Sequence, residues 1–251
     1  MGTANEAAVG GDIRVALLGL QLPAFADTAR SDMALVLAVD VSGSVDDDRF
    51  KLQREGIAAA LESDDFSAAI AGGVNQTIEI AVIEWAEEQR VVLPWTVIHG
   101  HGELAALAGR LRRAGRSWVH TMTDPGGGIT AAERLLAIKP LVADRQVIDV
   151  SGDGRQNTGD LSTADARDAA VSHGITLNGL PITSGDDSDV DGWYRSNVIG
   201  GPGAFLVVAN GYDAFAEAFR QKLTLEVAWL TPGRRPAIAL IRRQTARPPP
   251  D

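Results

Sequence analysis

Residues 34–44 read Ala34-Leu35-Val36-Leu37-Ala38-Val39-Asp40-Val41-Ser42-Gly43-Ser44. An unbroken apolar run of this length, bounded by polar residues, predicts a strand covered on both faces, as in the middle of a parallel sheet. The run ends in a carboxylate followed at alternate positions by two hydroxyls. In open α/β sheets ligands bind in the crevice beyond the carboxyl ends of the strands. Hard cations such as Mg²⁺ or Ca²⁺ take oxygen ligands, and short side chains on a rigid strand tip supply them.

Outward from this stretch, strand-like and helix-like segments alternate from residue 34 to about residue 225. The pattern predicts an α/β domain: a doubly wound, mostly parallel sheet with helices on both faces, Rossmann-like in layout. A first helix is expected from near Ser44, with Asp46, Asp47 and Asp48 in its first turn, where carboxylates suit the helix dipole, and Phe50, Ile57 and Leu61 on its packed face. Residues 77–85 and 90–96 are β-prone runs separated by only Ala86-Glu87-Glu88-Gln89, too short for a crossover helix, so one edge strand is expected to be antiparallel. Leu104, Leu107 and Leu111 mark a second helix. Ala131 to Ala137 mark a third, preceded by Pro125-Gly126-Gly127-Gly128 read as a loop. Gln146-Val147-Ile148-Asp149-Val150 reads as another central strand, and Ser151-Gly152-Asp153-Gly154 places a second carboxylate at a second strand tip. Ser162 opens a helix that Gly174 closes. Residues 175–182 and 204–209 read as strands, residues 193–198 as helical, and Phe215, Phe219 and Leu223 line a closing helix.

The chain of 251 residues is 45% hydrophobic and 22% charged, which suits one sizeable domain with a full core. Its formal net charge of -10 argues against a nucleic-acid partner, because such partners are held by clustered Lys and Arg. The absence of cysteine excludes disulfides, cysteine–zinc sites and thiol nucleophiles. Near the amino terminus Arg14 precedes the apolar run Val15 to Leu22, then Pro23 and Ala24-Phe25-Ala26, an A-x-A pattern that predicts a signal peptide over residues 1–26 cleaved after Ala26. The expected protein is periplasmic or secreted. Glu6 and Asp12 beside a single Arg14 leave a membrane-peripheral or cytoplasmic start open. No later segment is apolar enough for a spanning helix. The divisions are therefore residues 1–26, a folded domain over 32–226, and a flexible tail over 227–251 rich in Pro and Arg.

Asp40-x-Ser42-x-Ser44 together with Gly152-Asp153-Gly154 resembles the metal-ion-dependent adhesion site (MIDAS) of von Willebrand factor A domains. The strings 35–46, 147–154 and 197–205 also resemble a bacterial A-domain-like family known as domain of unknown function 1194, over about residues 32–226. The resemblance implies that Asp40, Ser42, Ser44 and Asp153 bind a divalent cation, Mg²⁺ or Mn²⁺ first and Ca²⁺ second. It implies that an open position on the ion takes an acidic side chain from a protein partner. The family usually adds a Thr from the glycine-rich loop, and Gly127 aligns with it here, leaving Thr130 or Thr123 as substitutes and predicting weaker metal binding. The function expected is a non-enzymatic, metal-dependent protein-binding module. Two alternatives stay open: a metal-assisted hydrolase or phosphotransferase with Ser42 as nucleophile, and a scaffold whose metal site has decayed.

Other tempting residues are given bland roles. His99 and His101 read as surface residues without metal partners. Trp85 and Trp95 read as packing, the acidic clusters at 64–65 and 186–189 as solvated loops, and Gly200-Gly201-Pro202-Gly203 as a turn without the Lys of a phosphate-binding loop. Tyr194, Arg195 and Asn197 are expected on the rim of the crevice or in packing.

Overall fold

Each of the apolar runs pairs with others of its kind because a strand buried on both sides can satisfy its backbone only through neighbouring strands. A computed structural model describes residues 29–119, 121–183, 189–228 and 230. In chain order its elements are β1 (Arg30–Ser31), β2 (Met33–Asp40), α1 (Asp47–Leu61), α2 (Asp64–Ala71), β3 (Ile78–Trp85), β4 (Gln89–Ile98), α3 (His101–Arg113), α4 (Pro125–Ala137), β5 (Val142–Ala143), β6 (Gln146–Gly152), α5 (Thr163–Ser172), β7 (Thr176–Pro181), α6 (Val190–Asn197), a 3₁₀ turn at Tyr212–Ala214 and α7 (Phe215–Val227). The main sheet runs β4-β3-β2-β6-β7. All its pairings are parallel except β3 with β4, which form the expected antiparallel edge.

β2 is central, and every one of its residues is buried. Its alternating side chains enter two cores. Met33, Leu35, Leu37 and Val39 face α1, α2, α3 and α7, represented by Ile57, Phe66, Leu107 and Phe219. Ala34, Val36 and Ala38 face α4, α5 and α6, represented by Ile129, Ala170 and Tyr194. The small residues on this second face admit α4 close to the sheet: a Cβ on Gly128 would stand 2.8 Å from the Trp85 ring.

Three local expectations are corrected. The segment 125–128 is the first turn of α4, not a loop: Pro125 occupies the first turn and the Asp124 carboxylate caps it by accepting from the Gly127 amide at 3.0 Å. Asp64 and Asp65 are solvated but helical, in the first turn of α2 after the Ser63 cap. Residues 204–209 run beside β7 as isolated parallel bridges, Gly179 with Leu206 and Ile182 with Ala209, rather than as a continuous strand. Gly174, at φ +79°, closes α5 where expected. The proposed leader over 1–26 and almost all of the tail over 227–251 lie outside the described residues.

Candidate metal centre

The parallel pairing of β2, β3, β6 and β7 brings the ends at Asp40, Trp85, Gly152 and Pro181 to one edge. Asp40 and Asp153 are thereby delivered side by side without any element devoted to the purpose. The chain after β2 folds back on Asp40, whose Oδ1 accepts from the Ser42 amide at 2.7 Å. The hydroxyls of Ser42 and Ser44 then lie 3.3 Å apart, and Ser44 Oγ donates to Asp153 Oδ1 at 2.5 Å. Asp40 and Ser42 are fully buried, Asp153 nearly so, and Ser44 is exposed. The cluster therefore opens to solvent on the Ser44 side.

Two arginines hold this loop. Arg116 Nη2 donates to the carbonyls of Val41 and Ser42, at 3.0 and 3.1 Å. Arg49 Nη1 donates to the Ser44 carbonyl at 2.7 Å and lies 3.7 Å from Asp153 Oδ2, its guanidinium over the Tyr212 ring. Neither guanidinium is paired with Asp40. Burial, and then the charge of Asp153, push the Asp40 carboxyl up to about 7 against the hydrogen bonds from Ser42. Asp40 Oδ2 is buried with no hydrogen-bond partner among the described residues. Tyr194 is buried beneath the cluster rather than on a rim, with its phenol pushed well above the usual value by burial and by the charges of Asp40 and Asp153. Gly152 permits the contact: a Cβ there would stand 2.6 Å from Asp40 Oδ2 and 2.8 Å from the Tyr194 hydroxyl.

The predicted residues Asp40, Ser42, Ser44 and Asp153 are thus brought together, whereas of the two threonine candidates Thr130 turns away and Thr123 stays beside Gly154, next to Asp153. Thr130 spends its hydroxyl on the Gly126 carbonyl, 2.9 Å away within α4, and lines a surface hollow with Gln89, Gly127 and Arg134. Gly127 packs toward Asp124 and Gln89. Thr123 is near the exit of β6, its Oγ1 3.8 Å from the position of a Cβ on Gly154. The residue missed by sequence reasoning is Thr121. Its carbonyl accepts from the Gly43 amide, between the two serines, at 2.8 Å, and its hydroxyl is buried without a hydrogen-bond partner among the described residues. The Thr-x-Thr spacing of 121 and 123 was the available signal, but only the loop's course shows which threonine meets Gly43.

This donor set is all oxygen, two carboxylates and up to four hydroxyls, and suits a hard divalent cation. Among the described residues no three His, Asp or Glu side chains gather into a metal-binding group, so an ion here would depend on hydroxyl ligands. The fit rests on charge as well as chemistry: a buried carboxylate with one oxygen free of hydrogen bonds, beside a second carboxylate, is a place where a cation would offset the cost of burial. No described histidine stands by Ser42 as a base. His99 bonds Thr77, at the far end of β3, and His173 pairs with Glu133. His101 begins α3, and His120 lies outside the described residues.

Comparison with known proteins supports this architecture. The family model described as protein of unknown function (DUF1194) matches residues 30–231. No curated protein matches the chain. Among solved structures, a von Willebrand factor type A protein from Catenulispora acidiphila is similar at 19% identity and a TM-score of 0.56, over 79% of this chain and 43% of that one. The von Willebrand factor domain of the type V pili tip protein Mfa5 from Porphyromonas gingivalis is similar at 11% identity and TM-score 0.57, over 83% of this chain and 99% of that domain. Proximal thread matrix protein 1 from the mussel byssus, solved with zinc in its MIDAS motif, is similar at 13% identity and TM-score 0.59, over 80% of this chain and 47% of that one. This chain spans less than half the length of the first and third of these proteins. At such identities the likeness shows a shared von Willebrand factor A fold. Among the described residues no helix is long and apolar enough to cross a membrane.

Proposed function

This chain belongs to the DUF1194 family and has a von Willebrand factor A fold, and from that premise we propose that it is an exported, non-enzymatic protein-binding module whose binding depends on a divalent cation. Asp40, Ser42, Ser44, Thr121 and Asp153 would hold the ion. The observation that carries this is the buried, bare Oδ2 of Asp40 beside the Asp153 carboxylate. When bound, the cation supplies positive charge that attracts an anionic oxygen. Burial of Asp40 and Ser42 leaves the exposed Ser44 side as the approach, which suits an acidic side chain carried by a protein partner. Arg116 and Arg49 keep the serine loop in place through its carbonyls, so that the site need not reorganise when a partner arrives.

The pilus-tip likeness and the zinc-occupied MIDAS motif of the mussel protein support protein binding and a divalent ion respectively. Mg²⁺ or Mn²⁺ is favoured over Ca²⁺ because few carboxylates converge here, and larger Ca²⁺ shells draw on more of them. Export rests on the Ala24-Phe25-Ala26 pattern. Calorimetric titration of Mg²⁺ and Mn²⁺ into the protein lacking residues 1–26 tests the site: saturable binding that disappears in Asp40→Ala is expected. Undetectable binding at millimolar ion would leave a scaffold with a decayed site. Export is tested separately by the amino terminus of protein recovered from the periplasm or medium, expected at Asp27; recovery with residue 1 intact would refute it.

A further inference from the structure

A second group of charges is sealed inside the molecule, away from the strand tips. Asp149 lies in the middle of β6, level with Leu37 of β2 and Asn178 of β7. Its side chain meets Lys222 Nζ of α7 in an ion pair. One turn further along α7, Glu226 Oε1 lies 3.5 Å from the same nitrogen. Lys222, Asp149 and Glu226 are 1%, 3% and 0% exposed. Asn178 fixes Glu226 by donating from Nδ2 to Oε1, while its own Oδ1 accepts from the Phe205 amide at 2.8 Å. The Phe205 ring stands 5.4 Å from Lys222 Nζ, and Leu37, Val147 and Leu223 belong to the apolar core around the group.

Such a group is unexpected on stability grounds. A buried ion pair recovers its desolvation cost poorly, and apolar replacements are often as stable. Burial, then the charge of Asp149, push the Glu226 carboxyl up to about 8 against the pull of Lys222 and Arg145. The shift favours its protonated form, an acid with a proton to give. An amine, a carboxylate and a proton donor are therefore held in contact where water has little access. Fixing reactants in this way corresponds to effective concentrations of about 10⁵–10⁸ M.

We propose that Lys222 and Asp149 condense into an intramolecular isopeptide bond, with Glu226 relaying the protons, so that α7 is covalently tied to β6. Glu226 first gives its proton to the Asp149 carboxylate and takes one from the Lys222 ammonium, leaving a neutral amine facing a neutral acid. The Nζ lone pair attacks Asp149 Cγ and forms the C–N bond. Glu226 then protonates the departing hydroxyl as it receives a proton from the new nitrogen, the C–O bond breaks, and water leaves. Glu226 ends protonated, as it began, and no oxidant or external reagent is consumed. Asn178 positions Glu226, and the apolar walls disfavour the separated charges of the unreacted pair.

The experiment is intact-mass measurement of the purified, denatured protein, followed by tryptic mapping. The expected mass is lower than that of the linear chain by one water. The expected map contains a branched peptide joining residues 146–155 to residues 221–234, uncleaved after Lys222. A wild-type protein of linear mass, with cleavage after Lys222, overturns the proposal without recourse to any variant. Lys222→Arg, which keeps a cation but cannot form this bond, should give the linear mass. Glu226→Gln should also give the linear chain, and full crosslinking in that variant would overturn the relay assigned to Glu226.

Discussion

At Asp40 one oxygen accepts from the Ser42 amide, and the other has no hydrogen-bond partner among the described residues. Replacing it by Asn preserves shape and removes the charge that Asp153 opposes. Asp40→Asn is therefore expected to abolish saturable Mg²⁺ binding while raising the denaturation midpoint of the metal-free protein, because loss of an uncompensated buried charge relieves strain. Calorimetry and urea melts check the two halves. Thr121→Val should weaken metal binding and Thr130→Val should not, since the Thr130 hydroxyl is already used within its own helix. Gly152→Ala forces a methyl to within 2.6 Å of Asp40 Oδ2. Overpacking of this kind costs about 1–3 kcal/mol, so a lower urea midpoint and lost metal binding are expected together. Asp40, Ser42, Ser44 and Asp153 were legible from the sequence because strand-end motifs are local. Thr121 was not, because its relation to Gly43 is a contact between loops far apart in the chain.

At the level of elements, α1 is fastened to β3 by a buried ion pair of Arg54 with Glu84, whose other oxygen accepts from the Ser117 amide at 2.8 Å. The same glutamate therefore positions the segment that carries Arg116 to the serine loop. Removing one partner of a buried pair costs about 3–5 kcal/mol, and Glu84→Ala is expected to lower stability by that amount in urea melts and to weaken metal binding indirectly. The hairpin of β3 and β4 and the boundaries of α5 could be read locally, from a short connection and from a cap with a terminal glycine. The Pro125 to Gly128 segment could not. Its glycines resemble a loop by propensity, but packing against Trp85 and the cap from Asp124 hold them helical, tertiary contact overriding a weak local preference.

In the whole molecule, Asp149, Lys222 and Glu226 link the sheet to its last helix. Glu226 has a folded value of about 8 against an ordinary 4.5. Between those values the unfolded chain binds fewer protons than the folded one, so the stability that protonated Glu226 contributes is fully present below about pH 4.5 and is lost as pH rises through about 8. Urea midpoints of the chain without the crosslink should fall across that window, and the fall should flatten in Glu226→Gln. From the sequence by itself came the α/β class, the antiparallel edge and the two strand tips that meet, because periodicity and strand-end chemistry are written in neighbouring residues. Only the tertiary structure decided that the Thr121 carbonyl meets Gly43 while the Thr130 hydroxyl turns back into its own helix, that Tyr194 lies beneath the tips, and that Lys222 reaches Asp149. Those relations depend on the register of parallel strands and the docking of helices, which bring residues together across distances in the chain that no local pattern records.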